Sequence, residues 1–464
     1  MSTVIEKDKE TVETSNSDTY GLGVRHLQCA LLGIIVITIA GMRNILNVAV
    51  IAMVSDSPPN ENIPTYPNWA SKKNLMLSSF FWGYVVFQVL AGELAKKYGP
   101  KLLLGVSIFI NSIFLLLLPY FGAQFGYLGV IACRVIQGLT QGPLQPCCHN
   151  LLSKWVPRQE RARMGNFVYS GAPLGVLIAL PTAGAISSSS VGWPVVFYLY
   201  GSIGILWTIL WFVFGSESPS VSKMISEEEK RYIQKSTSVH EEKTVPTPWK
   251  AIFTSAPVYA ILICHCGQNW GYFTMITETP SYMDKILDFN LASNSALSAL
   301  PYLAQWIVSH LLSPIADLLI LRQVVSVGSS RKLMNSIGTL VPAVALISLM
   351  FLGSDQPALT LVIIVIAVGV NGGTYCGFNI NHMDISPTHA GTLMGIGNTI
   401  GNSQKQLWNI VFVTTGIVYV ITGVMYILLG SGEEQPWNKL EDRDELPFQD
   451  RKTNSTLAEI KTKE

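Results

Sequence analysis

The run LLLGVSIFINSIFLLLLPYF occupies residues 102–121 and contains no charged side chain. A helix needs about 20 apolar residues to cross the hydrocarbon core of a bilayer. Other runs of this kind lie at 27–54, 75–95, 126–150, 165–187, 193–215, 256–280, 295–320, 333–353, 357–380 and 409–430. The sequence therefore predicts an all-α, polytopic membrane protein.

A further segment, from Gly391 to Asn402, begins like a span but soon meets the polar run Ser403-Gln404-Lys405-Gln406. Its roughly 12 residues would cover ~18 Å of a ~30 Å hydrocarbon core. We number the spans in chain order, which makes this short segment span 11. The pattern predicts two six-helix halves, with span 11 truncated.

The composition excludes several classes of protein. Hydrophobic residues make up 49% of the chain and charged residues 13%, and the mean hydropathy is +0.36, too apolar for a water-soluble chain of this length. A formal net charge of +1 provides no basic field, so we expect no nucleic-acid partner. The seven cysteines are an odd set that lies mostly in apolar runs, which argues against a secreted disulfide framework.

Lysine and arginine are distributed unevenly among the loops. With a cytoplasmic N-terminus, sixteen of them fall in inner loops and only Lys72, Lys73 and Lys285 in outer loops. Because positively charged loops stay in the cytoplasm, this bias predicts the orientation. Residues 1–25 are polar and mixed in charge, so we expect span 1 to serve as its own insertion signal.

Polar segments divide the chain into parts. They are a cytoplasmic tail at 1–25, a first helix bundle at 26–215, a cytoplasmic linker at 216–255, a second bundle at 256–430 and a polar tail at 431–464. Within the linker, Ser226 and Glu229 have the spacing of a capping box. This spacing predicts a short surface helix in the linker.

Two loops are weakly repeated at corresponding positions of the halves. The first, after span 2, contains Gly92, Gly99 and Lys101, and its degraded counterpart at 313–318 follows span 8. Asp317 closes span 8 at the inner face, where we expect it to brace helix ends rather than to bind substrate. We predict that these residues act in the conformational change of a carrier with two rocking halves.

Two arginines lie within spans. Arg43 is in the middle of span 1, and Arg134 is in span 4, near its outer end. A charged side chain at a span centre costs at least ~2.5–3.5 kcal/mol, so it marks function by default. Guanidinium offers a planar fork of donors that matches carboxylate or phosphate oxygens, which makes the pair a candidate anion site. The alternative is that one arginine snorkels or braces neighbouring helices.

Four further polar side chains within spans are candidates for the cavity or for ion coupling: Asn47, Gln141, Asn269 and Glu278. Glu278 lies near the outer end of span 7, where its carboxyl could carry a proton or help to hold Na⁺. An ordinary carboxylate at the water interface is the equally supported alternative.

Other motifs predict no chemistry. Consecutive helix positions such as Cys264-His265-Cys266 point about 100° apart and cannot chelate together, so no metal site is expected there. Cys147-Cys148-His149 is interpreted as packing. A phosphate-binding loop of ATP-driven pumps is missing from the sequence, as is a nucleophile–base set, so we predict neither a pump nor an enzyme, and no cofactor.

Several motifs carry a family resemblance: SFFWGY at 79–84, RVIQGLTQG at 134–142, SKWVP at 153–157, NWGY at 269–272, GFNINH at 377–382 and AGTLMG at 390–395. Together they resemble the anion/phosphate cotransporter family of the major facilitator superfamily. That family includes the type I sodium–phosphate cotransporters, sialin and the vesicular glutamate transporters. The resemblance covers residues 25–430 and is greatest to inorganic phosphate cotransporters of invertebrates.

The resemblance implies that Arg43 and Arg134 match the substrate-site arginines of the family. Three positions depart from it. Gln141 stands where proton-coupled members carry Glu, Leu77 where the glutamate carriers place His, and Gln268 where they place Arg. These departures favour a Na⁺-linked symporter of inorganic phosphate or another small anion. A proton-coupled organic-anion transporter like sialin is the alternative.

By comparison with the family, span 11 lacks a further apolar turn or two and a short outer loop. This leaves a third interpretation, a sensor or an inactive truncated isoform that does not transport. For an active carrier we expect a monomer in the plasma membrane rather than in an endolysosomal or vesicular membrane. Its partners would be a small anion and the lipid bilayer.

Overall fold

A computed structural model describes residues 21–56, 62–236, 247–285, 291–351, 356–402 and 411–438. The regular structure of this part of the chain is helical, which confirms the predicted all-α class. Up to the linker, the helices are α1 (Val24–Met53), α2 (Lys73–Tyr98), α3 (Pro100–Gln141), α4 (Leu144–Trp155), α5 (Arg161–Tyr169), α6 (Gly171–Ser187) and α7 (Pro194–Phe214). The linker contains α8 (Glu227–Ser236) and α9 (Trp249–Ile252).

The second bundle follows the linker. Its helices are α10 (Ala256–Lys285), α11 (Leu291–Leu321), α12 (Val327–Ser348), α13 (Pro357–Asn371), α14 (Phe378–Ile385), α15 (Ala390–Asn402) and α16 (Val411–Leu429). Span 10 comprises α13 and α14, and span 11 is α15. Because residues 403–410 lie outside the described residues, the truncation of span 11 stays a prediction.

Within the described residues, six helical stretches are long and apolar enough to cross a membrane. A seventh is the pair Pro67–Gln88 and Leu90–Tyr98, which is bent by 53°. The stretch Pro100–Trp155 among the six holds two spans, because α3 reverses direction inside it. The predicted runs at 256–280, 333–353 and 409–430 correspond to the helices α10, α12 and α16 of the second bundle.

The reversal within α3 occurs at Gly126, where φ is 65° and ψ is −155°. Glycine populates this region readily because it has no Cβ. Asn111 before the turn accepts a hydrogen bond from Gln141 after it, with 3.2 Å between Nε2 and Oδ1. Thirty residues of straight helix would hold these side chains ~45 Å apart. The limbs 100–125 and 127–141 are therefore antiparallel, and they form spans 3 and 4.

The second limb of α3 packs closely against α2 at two glycines. A Cβ at position 138 would overlap the carbonyl oxygen of Phe80, and one at Gly83 would overlap that of Val135. Small residues at such crossings let helix backbones approach in a membrane. This close approach places the aromatic side chains of α2 beside the buried face of span 4.

The linker helix departs from the prediction in one respect. The Ser226 hydroxyl accepts a hydrogen bond from the Glu229 N–H (3.2 Å), as a capping residue does. The Glu229 carboxylate does not complete the box on α8, because it accepts hydrogen bonds from the N–H groups of Val24 and Arg25 at the start of α1. Glu229 is 1% exposed, so α8 is docked on the first bundle rather than lying free on its surface.

The two bundles meet near the ends that lie on the side of the linker, which the charge bias of the loops predicts to be cytoplasmic. There α2 and α4 pack against α15, and α5 packs against α11. Arg158 forms an ion pair across this interface with Glu434 at 2.7 Å. Among the described residues, the side-chain hydrogen bonds between the halves all involve this end of the molecule.

The crossing of α2 and α3 gives a stability prediction. Replacing Gly138 with Ala should destabilise the fold by ~1–3 kcal/mol, because the new methyl group overpacks against backbone that cannot rotate away. Thermal unfolding of the purified protein in detergent measures the change. Gly184→Ala is the matched control, because its Cβ would meet only Val48, at 3.9 Å. Equal unfolding temperatures for the two variants would show that α2 and the second limb of α3 can move apart at this crossing without loss of stability.

Candidate functional site

The two predicted site arginines lie next to each other between α1 and the second limb of α3. Arg134 Nη2 donates a hydrogen bond to the main-chain oxygen of Arg43 at 3.2 Å. Arg134 is only 2% exposed, whereas Arg43 is half-buried. The structure therefore brings together two residues that are far apart in sequence.

One aromatic ring contacts both guanidiniums. The Arg43 and Arg134 guanidinium carbons each lie 4.9 Å from the centroid of the Phe80 ring, and that of Arg43 lies 4.5 Å from the centroid of Tyr84. The negative faces of such rings attract cations. The two guanidiniums are therefore separated by at most about 10 Å, a range over which like charges repel in a low-dielectric interior.

Neutral amides bind the edges of the arginines. Gln141 accepts a hydrogen bond from Arg43 Nε (3.3 Å) and donates one to Asn111 (3.2 Å), while Gln137 accepts one from Arg134 Nη1 (3.1 Å). Within the part of the chain that the structure describes, neither guanidinium pairs with a carboxylate, and Arg134 Nε has no hydrogen-bond partner. The pair thus keeps both positive charges and spare donor capacity.

Asn111 was not predicted as a site residue. It is fully buried, and its side-chain oxygen also lies 3.4 Å from the Thr140 hydroxyl. Its position inside the apolar run at 102–121 is the signal that could have identified it, because a buried amide needs hydrogen-bond partners. Asn111 positions Gln141, which in turn holds Arg43.

The other candidates lie elsewhere. Asn47 is exposed one turn after Arg43 on the same face of α1, and it donates to Asn44 (3.2 Å). Asn269 is half-buried in α10, and its amide nitrogen has no partner among the described residues. Glu278 belongs to α10, but its side chain lies outside the described residues.

Among the described residues, the second bundle has a group of uncharged polar side chains around Tyr272, which we call the neutral wall. Tyr272 in α10 is within electrostatic range of Arg43. It lines a small cavity together with Tyr302, Gln305, Asn371 and Tyr419, among others. Gln305 is 1% exposed and its side-chain oxygen has no partner in the described part of the chain. This wall can donate and accept hydrogen bonds without adding charge.

Gln268 occupies the position where the resemblance places an arginine in glutamate carriers. Its amide nitrogen donates to Asn371 Oδ1 at 2.7 Å, and Asn371 donates back to Gln268 Oε1 at 3.0 Å. The reciprocal amide pair satisfies both side chains without any ionic partner. Position 268 therefore adds no charge to this part of the second bundle.

Of the predicted conformational residues after span 2, Gly92 lies where the halves meet, whereas Gly99 and Lys101 contact α7 and the start of the linker. Gly92 lets α2 approach α15, because a Cβ there would lie 2.8 Å from Thr392 Cα. Gly99 has φ 85°, and its Cβ would contact Glu217. Lys101 donates its N–H to Glu217 (3.1 Å) and its ammonium to the Phe212 carbonyl oxygen (3.4 Å).

Asp317 links the halves directly. Its two carboxylate oxygens accept hydrogen bonds from the N–H groups of Ala162 (3.1 Å) and Arg163 (2.7 Å) at the start of α5. Carboxylates are favoured at helix N-termini because the free N–H groups and the helix dipole attract negative charge. Asp317 thus braces a helix end of the opposite bundle.

A second ionic link was missed by sequence reasoning. Asp384 is 4% exposed and accepts hydrogen bonds from Arg161 of the first bundle (3.1 Å) and Arg331 of the second (2.7 Å). The three residues come from different segments of the chain, so spacing carries no signal for them. Both guanidiniums share one carboxylate, which joins the two bundles at the linker end.

Comparisons with known proteins identify the family of the chain. The family model described as Major Facilitator Superfamily matches residues 30–404. A protein of Drosophila ananassae named "Putative inorganic phosphate cotransporter" is 41% identical over 447 residues, covering 88% of this chain and 92% of its own. Vesicular glutamate transporter 1 of Bos taurus is 33% identical over 453 residues, covering 92% and 80% respectively.

Solved structures show the same fold at low sequence identity. A proton:xylose symporter of the major facilitator superfamily aligns with a TM-score of 0.63 at 16% identity, covering 87% of this chain and 95% of its own. A bacterial homologue of the iron transporter ferroportin, in an outward-facing state, aligns with a TM-score of 0.65 at 11% identity, covering 88% and 99% respectively. These structures support the fold alone.

Proposed function

The chain belongs to the major facilitator superfamily, in its anion/phosphate cotransporter branch, and is a multi-pass membrane transporter; we propose that it carries inorganic phosphate or a similar small anion together with Na⁺. One observation carries the proposal. Arg43 and Arg134 share the Phe80 ring inside the bundle, and neither has a carboxylate partner among the described residues. A bound anion would compensate both charges.

Phosphate suits the chemistry of this pair. Guanidinium donates parallel hydrogen bonds to two oxygens of a phosphate or carboxylate, and charge assistance makes these bonds about twice as strong as neutral ones. The curated relatives named for phosphate are more similar to the chain than those named for glutamate. Leu77 and Gln268 further disfavour glutamate, because neither provides the cationic group that the glutamate carriers have there.

Alternating access is the mechanism that the interface favours. The backbone hydrogen bonds to Asp317 and the ion pair of Arg161 with Asp384 hold the cytoplasmic ends together, so the arginine pair would receive its anion from the outer side. Opening of the cytoplasmic side requires both links to separate. We propose that Gly92, Gly99 and Lys101 support this motion, and that the carrier works as a monomer in the plasma membrane.

Na⁺ coupling is proposed because, among the described residues, no carboxylate pairs with either arginine of the site. Gln141, which contacts Arg43, cannot exchange a proton. Glu278 stays a candidate to hold Na⁺ or to carry a proton. The organic-anion carrier driven by protons is the alternative, and an inactive isoform with a truncated span 11 is a further one.

The arginine site is tested by Arg134→Ala. Uptake of radiolabelled phosphate should fall at least tenfold, because the loss of a charge-assisted contact of ~1.4 kcal/mol or more costs that factor. Surface expression should survive, and Arg322→Ala, at an exposed inner-loop position, should transport normally. Retained phosphate uptake in Arg134→Ala at normal surface levels would remove this residue from the site.

The coupling ion is tested by replacing external Na⁺ with choline. Uptake of phosphate should then fall to background, because the driving ion is absent. An imposed pH gradient at constant Na⁺ supplies the comparison. Uptake that ignores Na⁺ but follows the pH gradient would favour the proton-coupled alternative, and no uptake of any anion by a chain present at the surface would favour the inactive isoform.

Gln141→Glu tests how a titratable group at this position acts. The new carboxylate should pair with Arg43 and compete with the anion, so uptake near neutral pH should fall severalfold. External acid should then restore uptake, because a protonated carboxyl releases the guanidinium. Gln141→Leu removes the same hydrogen bonds but cannot titrate, so acid stimulation in that variant would contradict the carboxylate explanation.

A further inference from the structure

Three histidines meet between the bundles at their cytoplasmic ends. His149 belongs to α4, His265 to α10 and His382 to α14. The His382 ring centroid lies 5.3 Å from that of His149 and 6.0 Å from that of His265, with edge-to-face geometry in both pairs. Each of the three side chains is at most 4% exposed. We call this group the histidine cluster.

Hydrogen bonds hold the rings in neutral forms. His149 Nε2 donates to the Asn379 carbonyl oxygen (3.0 Å), and its Nδ1 accepts from the Tyr169 hydroxyl. His382 Nδ1 donates to the same Asn379 oxygen (3.0 Å), and His265 Nε2 donates to the Asn398 side-chain oxygen (2.8 Å). A neutral imidazole has one donor and one acceptor nitrogen, and these bonds fit that form; His149 Nδ1 also lies 3.2 Å from the Gln145 carbonyl oxygen.

Two acceptor nitrogens have no partner among the described residues. They are His382 Nε2 and His265 Nδ1. Gly397 faces His265, and a Cβ there would come within 2.8 Å of Nδ1. Each of these nitrogens can take up a proton when water reaches it, because an imidazole in water titrates near pH ~6.5.

The closed interface disfavours such a proton. The titratable and charged groups on the surrounding elements include Tyr169 on α5, Cys148 on α4, Cys264 on α10, Tyr426 on α16, and Arg161 and Arg331 with their shared partner Asp384. At the same interface, Lys96 of α2 contacts Glu93 and the buried His389. Asp384 is already engaged by two cations. An imidazolium in the histidine cluster would therefore be buried without a counter-ion and beside another ring, which is costly.

We propose that the histidine cluster is a proton-binding site that fills only when the cytoplasmic ends of the two bundles separate. Separation breaks the bond between His149 of the first bundle and Asn379 of the second, and it exposes the rings to water. Cytoplasmic acid then stabilises the open form, because a ligand that binds one of two states shifts the equilibrium towards it. The inference rests on the alternating access proposed above, whichever anion is carried.

The direction of the pH effect follows from the difference in bound protons between the open and the closed form. The open form binds more protons than the closed form, so the closed form loses relative stability as cytoplasmic pH falls below ~6.5. The carrier would then accumulate in its inward-open form and would return only slowly to its outward-open form. Net uptake should therefore fall with internal acid.

Cysteine accessibility tests the site without any substrate. Asn150→Cys places a thiol at the interface of α4 with Gly391 of α15, where the native side chain is 7% exposed. Inside-out vesicles are labelled with an impermeant maleimide, and rates are divided by those of Lys223→Cys in the exposed linker. The native chain, whose cysteines are mostly buried, is the blank.

The normalised labelling rate should be at least about threefold higher at pH ~5.5 than at pH ~7.5, since this range spans the imidazole titration. His265→Gln combined with His382→Gln should remove the increase, and His310→Gln, outside the cluster, should keep it. If the double variant does not fold, each single substitution should reduce the increase. Labelling that is indifferent to pH, or an equal increase in the cluster variants, would overturn the proposal.

Transport gives a second measurement. In cells with clamped internal pH, phosphate uptake should fall about threefold between internal pH ~7.5 and ~5.5, and the double variant should lose this dependence. The same internal-pH profile in both proteins would contradict the proposal. A chain that labels as expected but transports no anion would reject the transport proposal and leave the proton site intact.

Discussion

Arg43 and Arg134 belong to helices of a membrane bundle, and their guanidiniums lie between these helices. A charge in such a place must be compensated at close range. Arg134 is nearly fully buried, and its hydrogen bond to the Arg43 carbonyl oxygen fixes α1 against the second limb of α3. The aromatic face of Phe80 offsets part of the charge of both residues. That contact depends on the close crossing of α2 and α3 at Gly83 and Gly138. The packing of span 2 against span 4 is thus a condition for the site.

The other fully buried arginines among the described residues have carboxylate partners, and the contrast separates structure from function. Arg25 bonds to Glu160 at 2.9 Å and to Glu229 at 3.2 Å, which holds the linker helix on the first bundle. Arg161 and Arg331 share Asp384. A buried arginine with a carboxylate satisfies its own charge and organises the helices around it. The pair at Arg43 and Arg134 has neutral amides instead, so its charge stays available to a mobile anion.

The sequence predicted those features that depend on local composition. Apolar runs identified the spans, and a charge inside a run identified both arginines, because either signal is contained in one short segment. Contacts between distant segments could not be derived in this way. Glu229 had the spacing of a capping residue for α8, yet its carboxylate caps α1, because only the fold brings α1 within reach. The sharing of Asp384 by two bundles is hidden for the same reason.

The charges of the site also bear on which anion suits it. Two guanidiniums whose neighbours are aromatic and amide groups leave a local charge of about two positive units, which a phosphate dianion would balance. An amino acid would add an ammonium group, and the wall around Gln268 and Asn371 offers that cation no carboxylate within the described residues. The side-chain oxygens of Gln268 and Asn371 are already engaged with each other's amide groups. The neutral wall is therefore a reason to favour an anion without a positive group, and it supports the assignment of inorganic phosphate over glutamate.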